Sequence, residues 1–186
     1  MISDSHPLAD GTTLRPATLA DAGPLASALT RSRLYMRPWE PARTEAFYTE
    51  RGQTERLTVL LADRDAGRAM PWVIADEEDR AVGAFTLSSI ELGPFRSGRL
   101  GYWVDVDRAG RGLATAAVGR ICELARDGFG LHRVEAGTVV ENAASQRVLA
   151  KCGFEQFGTA PRYLHINGEW RDHRLFQRIL HDGPPR

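Results

Sequence analysis

Residues 107–115 have the sequence DRAGRGLAT and separate a strand-like apolar run from a helical one. The apolar run before them is residues 100–106, and residues 113–125 after them repeat apolar side chains at helical spacing. Gly110 and Gly112 let the backbone turn tightly and approach a ligand closely. The first N–H groups of a helix have no partner within it and lie at the positive end of its dipole. The stretch therefore predicts a backbone site for a phosphate or pyrophosphate.

The spacing excludes two well-known phosphate loops. No Gly-Lys-Ser/Thr follows, as a Walker A loop requires, and the Gly-x-Gly-x-x-Gly spacing of a dinucleotide-binding turn is missing. Arg111 adds a side-chain cation within reach of a phosphate. On this stretch alone, a purely structural turn between strand and helix stays open as the alternative.

The composition is that of one ordinary globular domain. The chain has 186 residues, 42% hydrophobic and 26% charged, and no net charge, which argues against binding nucleic acid through bulk charge. It has no run of about 18 apolar residues, so no membrane span is expected. Residues 1–11 lack the basic and apolar regions of a signal peptide. Cys122 and Cys152 lack metal-ligand spacing and are expected to be buried, reduced thiols in a cytoplasmic protein.

The first half of the chain predicts a strand, two helices and three more strands. Residues 12–16 form the first strand, and Thr18 caps the first helix. Two prolines bracket Trp39 and Glu40, which predicts an ordered loop over residues 34–41. The second helix is predicted at residues 44–65, and the three strands at 71–75, 81–90 and 99–106.

The second half begins with the helix that follows the glycine turn. A strand at residues 133–139 comes next, then a short helix at 142–151, and then two strands at 154–166 and 170–180 around the hairpin signal Asn167-Gly168. The whole order is β-α-α-β-β-β-α-β-α-β-β. It predicts a mixed α/β fold in which helices cover the faces of one sheet.

A second informative stretch is the start of the short helix. Asn142 is its predicted N-cap, and Gly153 lies just past its end. Ser145 comes three residues after the cap and lies on the same helix face as Asn142. On these residues alone, the alternative that Asn142 only caps the helix and Ser145 only faces solvent stays open.

Together the two stretches resemble the GNAT superfamily of acetyl-CoA-dependent N-acetyltransferases. The shared order is a strand, a Gly-x-Gly helix, a strand, an Asn-x-x-Ser helix and a Gly-Phe strand, and it covers about residues 12–180. The segments PWEPAR (38–43), LGY (100–102), YL (163–164) and GEWRDH (168–173) are similar to the RimJ/RimL group, the N-terminal alanine acetyltransferases of ribosomal proteins. One departure is Ala109, where the family motif has Gln or Arg. Because that motif binds pyrophosphate mostly through backbone amides, the change is expected to be tolerated.

The resemblance implies the GNAT fold, with a single mixed, largely antiparallel sheet, a splayed central strand and helices on both faces. It implies one acetyltransferase domain over residues 12–180, between a flexible N-terminus at 1–11 and a flexible C-terminus at 181–186.

The resemblance also implies acetyl-CoA as co-substrate and no metal. The amides of residues 111–115 would bind the pyrophosphate, and the pantetheine arm would pair like an added strand beside residues 102–106. The amide of Val104 would stabilise the developing oxyanion. The implied acetyl-CoA residues are Val104, Asp105, Val106, Arg111, Gly112, Leu113, Ala114, Thr115, Asn142 and Ser145.

Direct attack of an amine on the thioester is implied, with Ser145 as the group that protonates or hydrogen-bonds the leaving thiolate. The glutamate of the RimL type is replaced by Leu164, so the base stays open. The candidates are Glu40, Glu91, Asp105 and a water relay near Tyr102. The predicted catalytic residues are Ser145, Glu40 and Tyr102, and the predicted acceptor-binding residues are Trp39, Glu40, Arg43 and Tyr163.

One further segment of the hairpin, Arg171-Asp172-His173, invites a catalytic interpretation. A surface strand with paired charges is the favoured interpretation instead.

The predicted function is acetyl transfer to an amine, with the N-terminal α-amine of a protein such as a ribosomal protein favoured. An α-amine has a pKa of about 7.7–8.0 and a lysine amine about 10.4, so far more of the α-amine is neutral at pH 7 and it needs little help from a base. One alternative is a small amine, such as an amino acid, polyamine or antibiotic. A non-catalytic acyl-CoA-binding regulator is the alternative of another class. No nucleic-acid or membrane partner is expected, and a homodimer stays open.

Overall fold

The computed structural model describes residues 5–8 and 10–184. The strands are β1 His6–Pro7, β2 Thr13–Pro16, β3 Met70–Ala75, β4 Ala81–Glu91, β5 Ser97–Val104, β6 Arg133–Val139, β7 Glu155–Ile166 and β8 Glu169–Ile179. The α-helices are α1 Ala22–Met36, α2 Glu50–Asp65, α3 Leu113–Asp127 and α4 Ala143–Lys151, and 3-10 turns lie at Leu19–Asp21, Glu45–Tyr48 and Val106–Arg108. The order is the predicted one with β1 added.

A single sheet joins these strands in the order β1-β2-β3-β4-β5-β6-β8-β7. Its neighbouring strands are antiparallel except for β5 and β6, which are parallel. The parallel register runs only from Ser97 to Arg99 on β5 and from Arg133 to Glu135 on β6. Beyond it the two strands separate and leave a wedge in the middle of the sheet. This wedge is the splay predicted for the central strand.

Helices cover both faces of the sheet, as predicted. One face packs Leu25 of α1 and Leu57 of α2 against Val73 of β3. The other face packs Ile121 of α3 and Leu149 of α4 into one core with Trp72 of β3. Trp72 and Val73 are neighbours in one strand, and their side chains therefore point to opposite faces. The wedge thus lies between two separate helical layers.

Several predicted boundaries are wrong by a few residues. Helix α1 continues to Met36, and Arg37 still has helical backbone angles and bonds to the Arg33 carbonyl, so the predicted loop over 34–41 begins only after it. Thr18 begins a 3-10 turn ahead of α1 and not the helix itself. The second helix starts at Glu50 instead of residue 44, because the Thr49 side chain accepts the Gly52 N–H at 3.1 Å and caps it there.

The chain ends differ in how far they join the sheet. Strand β1 lies within residues 1–11, which were predicted to be flexible, and His6 pairs with Leu14 of β2. The described residues of the C-terminal segment, 181–184, form no helix or strand. No helix in the described ranges is long and apolar enough to cross a membrane.

The two cysteines are buried and unpaired, as expected. Burial raises the pKa of the Cys122 thiol to about 11, so this group stays protonated and packs as a small apolar side chain.

Candidate active site

A cavity of about 1270 Å³ occupies the wedge and is lined from both faces of the sheet. We call its two parts the turn half and the hairpin half. The turn half is lined by the glycine turn (108–115), Tyr102 and α4. The hairpin half is lined by the end of α1, the loop at 37–43, Arg56 of α2 and the β7–β8 hairpin.

The glycine turn presents backbone to the turn half. Gly110 and Gly112 have φ angles of 77° and 81°, and a Cβ at either position would meet no protein atom within 4 Å. Gly112 is the N-cap of α3, and the first hydrogen bond into the helix is from the Ala116 N–H to the Gly112 carbonyl at 3.0 Å. The N–H groups of Leu113, Ala114 and Thr115 therefore precede the helical ladder, and all three residues line the cavity.

Arg111 does not line this cavity, contrary to the prediction. Its guanidinium donates to the Asp107 carbonyl at 3.4 Å and lies in a separate shallow cleft with Glu77 and Glu78. The left-handed glycines on either side direct the intervening side chain outward. The glycine turn therefore presents its backbone, and not the Arg111 side chain, to the cavity.

Three cations that the sequence analysis did not name also line the turn half. Arg108 approaches the Asp76 carboxylate only to 3.8 Å. Arg147 and Lys151 lie one turn apart on α4, and neither has an ion pair within the described part of the chain. The i, i+4 spacing of two cations after the Asn142 cap was the signal in the sequence.

Ser145, Asn142 and Tyr102 meet at the start of α4. Asn142 Oδ1 accepts the Ser145 N–H at 3.0 Å, which confirms the predicted cap. The Ser145 Oγ lies 2.9 Å from the Tyr102 hydroxyl, and the Tyr102 ring stacks on Phe85 at 5.5 Å. Burial raises the pKa of Tyr102 to about 12, so its phenol stays protonated. Ser145 is therefore half-buried in a hydroxyl pair at the cavity wall and does not simply face solvent.

The three residues predicted at the end of β5 divide between two roles. Val104 lines the cavity, whereas Asp105 and Val106 do not. The Asp105 N–H bonds to the Val82 carbonyl at 2.8 Å on the β4 side. Because bonded and non-bonded positions alternate along an antiparallel pair, the Val104 N–H points the other way, toward the wedge.

Asp105 and Val106 instead attach the start of the glycine turn to α1 through hydrogen bonds and an ion pair. The Asp105 carboxylate is 1% exposed and is bound by Arg31 and by the Ser32 hydroxyl, which donates at 3.2 Å. The Val106 N–H donates to Ser32 Oγ at 3.0 Å, because Val106 lies in a 3-10 turn and not on the strand. Asp105 is therefore neither a cofactor contact nor an available base. Glu91, another base candidate, ends β4 and does not line the cavity.

The predicted acceptor residues Trp39, Glu40, Arg43 and Tyr163 all line the hairpin half. Arg43 lies 3.7 Å from the Glu40 carboxylate. Desolvation raises the pKa of Glu40, against the opposing pull of Arg43 and Arg56. Glu40 and Arg43 therefore form a charged rim on the loop that follows α1.

The outer end of the hairpin half is open to solvent. Leu34 lines the cavity although 80% of it is exposed, and Leu164 is 43% exposed. The Arg37 guanidinium donates to Asn167 Oδ1 at 2.9 Å and connects the loop to the hairpin tip. Asn167 and Gly168 form that tip with φ angles of 50° and 92°, the turn predicted from the sequence.

His173 lies in the hairpin half, which corrects the interpretation of its segment as a surface strand. The prediction was right for Arg171, which pairs with Glu141 at 2.9 Å and with Glu169 at 3.2 Å. It is wrong for His173, which is 3% exposed, lines the cavity and lies under the Tyr163 ring at 5.3 Å. A paired-charge pattern could not show that a bulge in β7 places Tyr163 over this position.

Glu135 is a second residue that the sequence analysis missed. It lines the cavity from β6 and pairs with Arg133 at 2.6 Å. The described residues contain no group of three or more His, Cys, Asp or Glu that could hold a metal ion.

Comparison with known proteins agrees with this geometry. A family model described as an acetyltransferase (GNAT) domain matches residues 12–155. The [ribosomal protein uS5]-alanine N-acetyltransferase of Escherichia coli is 31% identical over 166 residues, which are 89% of this chain and 86% of that protein.

Two solved structures are also similar. The ribosomal-protein-S5-alanine acetyltransferase of Vibrio fischeri superposes with a TM-score of 0.92 at 33% identity, over 98% of this chain and 100% of that chain. RimJ of Mycobacterium smegmatis, in complex with CoA-disulfide, gives a TM-score of 0.86 at 33% identity, over 90% and 81%. The chain belongs to the GNAT family of acetyl-CoA-dependent N-acetyltransferases, and its similar proteins include members of the RimJ/RimL group.

Proposed function

We propose that this enzyme acetylates the N-terminal α-amine of a protein, and that the protein is ribosomal. The observation that carries the proposal is the open end of the hairpin half, where Leu34 and Leu164 line the cavity and remain exposed. A polypeptide can enter there by its first residues and continue into solvent. The relatives from E. coli and V. fischeri are named for alanine acetylation of a ribosomal protein.

Acetyl-CoA fits the turn half by its chemistry. The left-handed Gly110 and Gly112 leave open space where a side chain would stand, next to the free N–H groups of α3. Arg108, Arg147 and Lys151 are the cations available to its phosphates. The bound molecule supplies an activated acetyl thioester.

Two observations support the wedge as the place for the pantetheine arm. The Val104 N–H is directed into the wedge, where it can bind the arm or a developing oxyanion. Thr138 lines the same space, and its Oγ1 is buried without a hydrogen-bond partner. An unpaired buried hydroxyl is costly, so a bound amide at this place would satisfy it.

Ser145 is proposed as the group that serves the leaving thiolate. Its hydroxyl lies at the N-terminal end of α4 and is hydrogen-bonded to the protonated Tyr102 phenol. Tyr102 can return a proton to Ser145 after transfer. Glu40 is proposed to attract the acceptor ammonium at the rim, with Trp39, Arg43 and Tyr163 beside it.

The test is release of CoA thiol from acetyl-CoA with a panel of amines. We expect turnover with peptides that carry a free N-terminal amine, and none with the same peptides blocked at the N-terminus but containing lysine. A preference for lysine side chains would contradict the proposal. CoA binding without turnover on any amine would instead favour the non-catalytic regulator.

A free amino acid is the second candidate acceptor, and one observation favours it. Arg56 and Arg99 line the hairpin half, and neither has an ion pair among the residues that the structure describes. Either could bind the carboxylate of an amino acid. The same assay separates the candidates: a free amino acid should lose activity when its carboxylate is amidated, whereas a peptide acceptor should not.

A further inference from the structure

His173 has one ring nitrogen fixed by the backbone. Its Nδ1 lies 3.1 Å from the Arg171 carbonyl oxygen. Because a carbonyl oxygen can only accept, Nδ1 carries the hydrogen of this bond. In the neutral imidazole the other nitrogen, Nε2, therefore keeps its lone pair and can accept a proton.

The ring of His173 stands over the wall of the wedge. A Cβ built at Gly137 would meet His173 Cδ2 at 3.8 Å and Tyr163 Cε1 at 3.9 Å. Gly137 belongs to the part of β6 that has separated from β5, and it lines the cavity. Nε2 is the ring nitrogen bonded to Cδ2, the imidazole atom found next to Gly137, and His173 itself lines the cavity.

The two faces of β6 separate His173 from Ser145. Ala136 packs into the core shared with α3 and α4, on the side where Tyr102 meets Ser145. Gly137, the next residue, points to the opposite side, where His173 lies. A thioester in the wedge would thus have a proton donor for sulfur on one side and a basic nitrogen on the other.

We propose that His173 is the general base of the transfer; this rests on the proposed acetylation of an amine. The amine nitrogen forms a bond to the acetyl carbon with its lone pair, and the C–S electron pair leaves with sulfur. One amine proton passes to His173 Nε2 and then to solvent. The thiolate takes a proton from Ser145, which regains one from solvent through the Tyr102 hydroxyl, so the products are the acetamide and CoA thiol and the enzyme returns to its starting state.

The other carboxylates that could act as a base are paired with arginines or lie away from the wedge. Glu40 is 39% exposed at the rim and lies 3.7 Å from Arg43. Glu135 is paired with Arg133 at 2.6 Å, and Asp105 is buried against α1. In the part of the chain that the structure describes, His173 is the histidine that lines the cavity.

The experiment compares His173→Gln and His173→Ala with His165→Gln in the full chain. His165 is exposed on the same hairpin, where its ring packs on Trp170 at 5.5 Å, and it does not line the cavity. We expect kcat to fall by about 10²- to 10⁴-fold in both His173 variants and not in the control. The affinity for CoA should stay unchanged, and added imidazole should restore activity to His173→Ala. Imidazole would not restore activity if His173 had a purely structural role.

The outcomes separate this proposal from the proposed function. If the wild type acetylates no α-amine but does acetylate another amine, the proposed acceptor is wrong, and the variants are measured on that amine. A His173→Gln enzyme within about threefold of the wild-type kcat would overturn the role of His173. So would a folded His173→Ala enzyme that imidazole does not restore. If His173→Ala does not fold, His173→Gln decides, because its longer polar side chain fills more of the space of the imidazole.

Discussion

The turn half and the hairpin half of the cavity are built from different parts of the chain. The turn half uses backbone N–H groups at the start of α3 and two cations on α4, two helices that are separated only by β6. The hairpin half uses side chains from the loop after α1, from α2 and from β8, which are distant in sequence. In the proposed function the backbone would bind the pyrophosphate that is the same in every reaction with acetyl-CoA, whereas scattered side chains can change with the acceptor.

The largest expected effect is on the chemical step, and not on the binding of acetyl-CoA or of the acceptor. Ser145→Ala removes the hydroxyl that lies 2.9 Å from the Tyr102 phenol while leaving the Asn142 cap intact. We expect kcat to fall by about 10²- to 10⁴-fold, because the leaving thiolate loses its proton donor. Steady-state kinetics at saturating acetyl-CoA would measure it.

Ser88→Ala is the matched control, because Ser88 lines the hairpin half and donates only to the Arg99 carbonyl at 3.3 Å. An unchanged kcat in Ser145→Ala would leave Ser145 as a structural residue of α4.

The sequence predicted the turn half better because its signals are local. Gly110, Gly112 and Asn142 act on the backbone within a few residues of their own positions. The wedge was predictable only through the resemblance to a family, since separation of two strands depends on long-range pairing. His173 was missed because its burial depends on Tyr163 reaching over it from another strand, and no periodicity within β8 records that contact.

The second prediction tests whether the backbone of the turn binds acetyl-CoA. Gly112→Ala places a Cβ in the open space of the turn at a φ of 81°, so it strains the backbone by about 1–2 kcal/mol. We expect the KM for acetyl-CoA to rise about tenfold, as if one hydrogen bond to a charged group were lost. Kinetics at varied acetyl-CoA would detect it.

Gly67→Ala controls for the strain alone. Gly67 has a φ of 71°, also has nothing within 4 Å of a Cβ, and lies away from the cavity. We expect both variants to lower the melting temperature by a similar amount. If the KM for acetyl-CoA is then equal in the two variants, the turn does not approach the ligand.

The third prediction concerns the hairpin half. Glu40→Gln removes the rim carboxylate, and we expect the KM for the acceptor to rise about fivefold, the scale of a partly exposed ion pair. The KM for acetyl-CoA should not change. Because the pKa of Glu40 is raised by desolvation, acceptor affinity should weaken as the pH is lowered through that raised value, and the variant should lack this dependence.

Glu55→Gln is the control for Glu40. Glu55 pairs with Arg51 at 3.0 Å on the exposed surface, and neither residue lines the cavity. A change in acetyl-CoA KM that matched the change in acceptor KM would mean that the two halves do not bind separately.

The smallest expected effect lies where the halves meet. Ser32 is fully buried on α1, where it accepts the Val106 N–H at 3.0 Å and donates to Asp105 at 3.2 Å. These two bonds attach the start of the turn half to the helix whose end lines the hairpin half. Ser32→Ala leaves the Val106 N–H without that partner, so we expect the free energy of unfolding to fall by about 1–3 kcal/mol.

The kinetic part of that prediction decides whether the two halves are coupled. Helix α1 carries Leu29 and Arg33 into the hairpin half, so a loosened contact at Ser32 should raise both KM values together, by about twofold to threefold. Ser27→Ala, which removes an exposed hydroxyl that donates to the Gly23 carbonyl at 3.1 Å on the same helix, should change neither. If Ser32→Ala lowers stability but leaves both KM values unchanged, the backbone-built half and the side-chain-built half bind their ligands independently despite sharing one cavity.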